Sequence, residues 1–111
     1  MRSERVAGGV LEHWTPEEVR AALERDEIRL VDVREPQEYM FEKIDGAEFV
    51  PMSTFTPEDL PAGDGKPVVL YCAVGARSHR AAQMILADGA EKVAHMDGGI
   101  VAWKRAGLPT D

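Results

Sequence analysis

The chain has a single cysteine, Cys72, among 111 residues. An internal disulfide is therefore impossible, and with no CxxC pair both a thioredoxin-type redox centre and a cysteine-rich zinc site are excluded. Positive charge is also scarce. Thirteen Lys and Arg against twenty Asp and Glu leave a formal charge of −7, which argues against general nucleic-acid binding and against an anionic membrane surface. A small anionic ligand remains open to it, because screening over about 8 Å lets a local arginine outweigh the net charge. Long apolar runs are missing too. No segment approaches the roughly 20 apolar residues of a membrane span, and the opening MRSERVAGGVLEHW lacks the apolar centre of a signal peptide. A cytoplasmic, reducing location is the simplest expectation.

What remains suits one compact domain. At 44% hydrophobic and 30% charged residues, a core is expected rather than disorder. Residues 1–11 read as a flexible lead-in, and residues 12–111 as the domain. Thr15-Pro16-Glu17-Glu18 carries the signals of a helix start: Thr as N-cap, Pro at the first helical position, Glu reaching back. Residues 28–33 (IRLVDV) read as a strand, and Pro36 opens a short helix through Tyr39 and Phe41. Residues 46–50 form a weak strand, and Thr56 opens a brief helix stopped near Pro61. The run PVVLY, residues 67–71, has no polar alternation and should be covered on both faces. From Ser78 the pattern turns helical, with Ala81, Ala82, Ile85 and Leu86 on one face and Gly89 just past its end. Residues 91–96 are a further strand, and Gly98-Gly99 leads into a last amphipathic segment. Strands alternating with helices imply a mainly parallel sheet, whose ligands bind beyond the carboxyl ends of the strands. Cys72 stands at such an end.

A free thiol, with a pKa near 8.5, is only about 3% thiolate at pH 7. A sulfur placed just before a helix start gains unpaired amide N–H groups and the positive end of the helix dipole. Ala73, Val74, Gly75 and Ala76 are small or modest in size, so the backbone can curl around one point and form an anion-binding nest. Arg77 adds a full charge. A lone cysteine after an apolar strand is more often a buried structural residue; the Gly, Arg and Ser that follow at close spacing turn the reading toward a nucleophile. Ser78 reads first as a helix cap and second as a hydrogen-bond partner of the thiolate. His79 reads as a solvated helix residue. His13 and His95 show no ligand spacing and read as structural; no metal and no cofactor is expected. Met84 and Met96 read as core filler, and Trp14 and Trp103 as core or its margin.

With these residues in view, the chain resembles a single rhodanese (sulfurtransferase) domain over about residues 13–109. The segments VDVREPQEY (31–39), IDGAEFVPM (44–52), CAVGARS (72–78) and GGIVAWKRAGLP (98–109) match the family's signatures in order and at normal spacing. Lys43 and Asp45 depart from the pattern, where histidine and proline are common. The resemblance implies a three-layer α/β fold: a central, mainly parallel five-stranded sheet with helices on both faces. It also implies a mechanism in which Cys72 takes the outer sulfur of thiosulfate or a similar donor. A persulfide then passes the sulfur to cyanide or a thiol. The amides of residues 73–78 would stabilise the persulfide and Arg77 would orient the donor. Arg34 is either on the same rim or in a structural ion pair.

Three other readings share this fold. One is a persulfide relay serving a protein acceptor in cofactor or tRNA sulfuration. Another is a phosphatase or arsenate reductase, whose signature is C-x5-R; here Cys72 and Arg77 are spaced C-x4-R. The third is a non-catalytic binding module, although such modules often lack the cysteine.

Overall fold

The computed structural model describes residues 1–60 and 65–111. Among the described residues six strands run β1 (Arg2–Val6), β2 (Gly9–Trp14), β3 (Arg29–Asp32), β4 (Glu48–Phe49), β5 (Val68–Tyr71) and β6 (Lys92–Met96). Their order across the sheet is β1-β2-β6-β5-β3-β4. Only β1 and β2 are antiparallel; the other pairings are parallel. Four α-helices accompany them among the described residues: α1 (Pro16–Glu24), α2 (Pro36–Phe41), α3 (Ala76–Ala87) and α4 (Gly99–Arg105).

The sheet separates two cores. On one face, Ala81, Ala82, Ile85 and Leu86 of α3 pack on Leu11, Val31, Leu70 and Val93. On the other, Val19 and Ala22 of α1 and Ile100 and Trp103 of α4 pack on Leu30, Val69, Tyr71 and Met96. Alternation along the strands sends neighbouring residues to opposite faces, so β5, apolar throughout, is buried on both. The expected layers, helices on both faces of a mainly parallel sheet, are present.

The helix starts follow their sequence signals. The Glu18 amide donates to Thr15 Oγ1 (3.1 Å), and Glu18 Oε1 accepts the Thr15 amide (2.8 Å). At α2 the Glu35 amide donates to Glu38 Oε1 (3.0 Å). Thr56 opens a single 3₁₀ turn, Pro57–Asp59; its expected stop at Pro61 lies outside the described residues.

The elements and their packing depart from expectation in four places. Residues 1–11, read as a lead-in, form β1, a tight turn and the first half of β2; β1 is a polar edge strand (RSERV) with no apolar face to announce it. This strand makes the sheet six-stranded rather than five. α3 begins at Ala76 rather than Ser78, because Gly75, at φ +106°, turns the chain directly into the helix. Met84 is exposed on α3, whereas Met96 is fully buried.

Candidate active site

Cys72 follows β5, flanked by β3 and β6. It is 0% exposed. Its sulfur accepts hydrogen bonds from the Gly75 amide (3.1 Å) and the Ser78 amide (3.3 Å). The Ser78 hydroxyl lies 3.6 Å from the sulfur. Burial pushes the thiol up, but the Ser78 amide and hydroxyl, with the Gly75 and Arg77 amides, outweigh it and hold the thiol below its ordinary value. Of the amides of residues 73–78, those of Gly75, Arg77 and Ser78 act on the sulfur. Ala73 is half-buried, Ala76 is exposed, and Val74 projects outward, 64% exposed.

The loop is held from outside by α4. The Ile100 amide donates to the Cys72 carbonyl (2.9 Å), and the Val101 amide to the Ala73 carbonyl (3.1 Å). These two bonds fix the start of the loop whose later amides, Gly75 and Ser78, reach the sulfur. Gly99 lies so close beneath that a Cβ there would sit 2.4 Å from both carbonyl oxygens. Sequence reading noticed Gly98-Gly99 only as the entrance to a helix.

Ser78 is not the cap of α3; Gly75 takes that position and Ser78 sits in the first turn, buried. Its hydroxyl donates to the Gly75 carbonyl at 3.2 Å and lies 3.0 Å from His95 Nδ1. His95 and His13 are buried and hydrogen-bonded to each other. His79, expected in solvent, is half-buried with its ring beside both.

Arg77 is in a forked ion pair with Glu38 of α2, at 2.7 and 2.8 Å. The guanidinium holds the Glu38 carboxyl down at about 2. The pair therefore persists across neutral and mildly acidic pH and is lost only as pH falls through that value. Sequence reading missed Glu38, because nothing in the α2 segment marks which of its acidic residues faces the loop 39 positions away.

Arg34 does not reach the rim. It is 4% exposed. Its Nε lies 3.0 Å from each Asp32 oxygen, and its Nη2 donates to Asp32 Oδ2 (2.7 Å) and to the Glu42 carbonyl (2.6 Å). Tyr71 completes the cluster, donating its hydroxyl to Asp32 Oδ2 (2.7 Å). The Asp-Val-Arg segment therefore ties β3 to β5 and to the end of α2, which is the structural ion-pair reading.

A buried free cysteine at the carboxyl end of a central parallel strand, wrapped by a C-x4-R loop, agrees with what comparison to known proteins returns. The model of the rhodanese-like domain matches residues 15–106. The uncharacterized protein slr1261 of Synechocystis is 43% identical over 95 residues, 86% of this chain and 53% of that protein. The chain thus spans about half the length of that relative. Thiosulfate sulfurtransferase GlpE of Vibrio cholerae is 32% identical over 104 residues, covering 91% of this chain and 98% of GlpE. Among solved structures, a Rhodopseudomonas palustris protein of unknown function, named a possible tyrosine phosphatase, superposes with a TM-score of 0.77 at 30% identity, covering 91% of this chain and 85% of that one. With the match to the domain model running from α1 to the end of α4, the chain belongs to the rhodanese-like family.

Proposed function

We propose that this chain is a sulfurtransferase that carries sulfane sulfur on Cys72. The observation that supports this most directly is the Cys72 sulfur beneath converging Gly75 and Ser78 amides in a loop of four residues before Arg77. In the first half-reaction the Cys72 thiolate attacks the outer sulfur of thiosulfate or a similar donor. The S–S bond of the donor breaks, its electron pair leaves on sulfite, and Cys72 becomes a persulfide anion. The inward amides stabilise that charge as they do the thiolate. In the second, cyanide or a thiolate attacks the terminal sulfur and the electron pair returns to Cys72. Arg77, fixed by Glu38, keeps further N–H groups for the leaving sulfite.

The short loop also separates this reading from phosphoryl chemistry. A phosphoryl group presents three oxygens around the attacked atom, each needing a donor, whereas sulfane sulfur is one atom. Intact-protein mass spectrometry after thiosulfate treatment should show one added sulfur atom, lost in Cys72→Ser together with thiocyanate formation from cyanide. Cys72-dependent hydrolysis of an aryl phosphate without sulfur transfer would overturn the proposal.

A protein acceptor is a second reading of the same chemistry. It is favoured by α2, which the Glu38–Arg77 pair ties to the loop and which carries Met40 and Phe41 at 82% and 87% exposure.

A further inference from the structure

All three histidines of the chain meet at one place, although they lie on three different elements. His13 and His95 are register partners in the parallel pair of β2 and β6. They stand on the face that carries Leu11 and Val93, beneath the first turn of α3. Asp97 follows β6, and its amide donates to the Trp14 carbonyl (2.8 Å), which anchors it beside His13.

We propose that His13, His95 and Asp97 form a site for a divalent transition metal, zinc by the character of its donors. The donor atoms make a compact triangle. His13 Nδ1 lies 2.9 Å from His95 Nε2 and 3.5 Å from Asp97 Oδ1, and His95 Nε2 lies 4.0 Å from the same oxygen. A point about 2.1 Å from all three exists within that triangle, which matches zinc–nitrogen and zinc–oxygen distances. The opposite ring nitrogens are supported as those of metal-bound imidazoles are. His13 Nε2 lies 2.9 Å from Glu4 Oε1, and His95 Nδ1 lies 3.0 Å from Ser78 Oγ. The second oxygen of Asp97 faces Arg2 at 3.9 Å. Two imidazoles and one carboxylate, without a thiolate, suit zinc better than calcium or magnesium, which take oxygen, or copper(I), which takes sulfur.

The two imidazoles are 7% and 3% exposed, whereas the Asp97 side chain is 54% exposed. The ion would therefore arrive from the Asp97 side, and the three protein donors leave a coordination position for water. His79, on α3, sets its ring edge-on to that of His95, with the centroids 5.7 Å apart. The site does not use Cys72. It touches the sulfur only through His95 and Ser78: a metal on Nε2 fixes the remaining proton on Nδ1, so that His95 donates to Ser78 Oγ and the hydroxyl proton is left for Gly75 or for the sulfur.

The competing arrangement is a metal-free hydrogen-bonded imidazole pair. Cobalt(II), a spectroscopic substitute for zinc, separates the two. Titrated into the full chain after chelator treatment, it should give saturable visible absorption of four- or five-coordinate type with one ion per chain, and zinc should displace it. Asp97→Asn, at an exposed position, should weaken binding at least tenfold, and His95→Gln should abolish it. Cys72→Ser should bind as wild type does, which keeps this test apart from that of sulfur transfer. No saturable absorption up to millimolar cobalt, unchanged binding in both Asp97→Asn and His95→Gln, or binding lost in Cys72→Ser would each overturn the site.

Discussion

At the scale of the residue, the chemistry turns on opposed effects at one sulfur. Burial disfavours the thiolate, and hydrogen bonds from Ser78, Gly75 and Arg77 more than offset it. A depressed thiol contributes stability that is fully present above its unfolded value and is lost as pH falls through the folded one. The rate of Cys72 alkylation should accordingly rise with pH to a midpoint below the roughly 8.5 of a free thiol. Ser78→Ala removes the hydroxyl but keeps the amide, so it should move that midpoint upward and cost about 1 kcal/mol of stability. A Ser78→Ala profile superposable on wild type would show that the hydroxyl contributes nothing to the thiolate. Cys72 and its loop were legible in the sequence because their determinants are contiguous. Small residues, a glycine and an arginine in direct succession define a backbone shape. Glu38 and the histidine cluster were not legible, since each depends on partners brought together from distant segments. His13 and His95 lie 82 positions apart, and only the β2–β6 register makes them neighbours.

At the scale of the element, α4 shapes the loop that α3 continues. The position most sensitive to this is Gly99, at φ +61°, where an added methyl would meet backbone oxygen rather than a side chain that can swing away. Gly99→Ala should lower sulfur transfer more than tenfold while the far-ultraviolet dichroism of the fold persists. Gly107→Ala is the matched control, with φ +79° and nothing within 4 Å of its Cβ. It should cost about 1–2 kcal/mol of stability from the backbone conformation alone and leave turnover intact. Equal losses of turnover in the two variants would mean that the clamp on the loop is unimportant. Helix starts were readable because capping is local: Thr15 and Glu18, or Glu35 and Glu38, are three residues apart. β1 was unreadable because its pairing, not its polarity, makes it a strand.

At the scale of the whole molecule, seven net negative charges sit on a body with a radius of gyration of 12.7 Å. Arg77 does not offset them at long range, since Glu38 neutralises it. A dianion such as thiosulfate would therefore approach this body against repulsion. Raising salt from about 20 to about 200 mM should increase kcat/KM for thiosulfate, by about two- to threefold, through screening of that repulsion. A fall over the same range would mean that a local positive field governs the approach. The clamp on the loop has a consequence in time as well as in space. During synthesis, residues 72–78 leave the ribosome before residues 99–101, so the carbonyls of Cys72 and Ala73 have no amides to receive them until α4 has emerged. The loop's backbone hydrogen bonding is therefore completed by the last helix to be made.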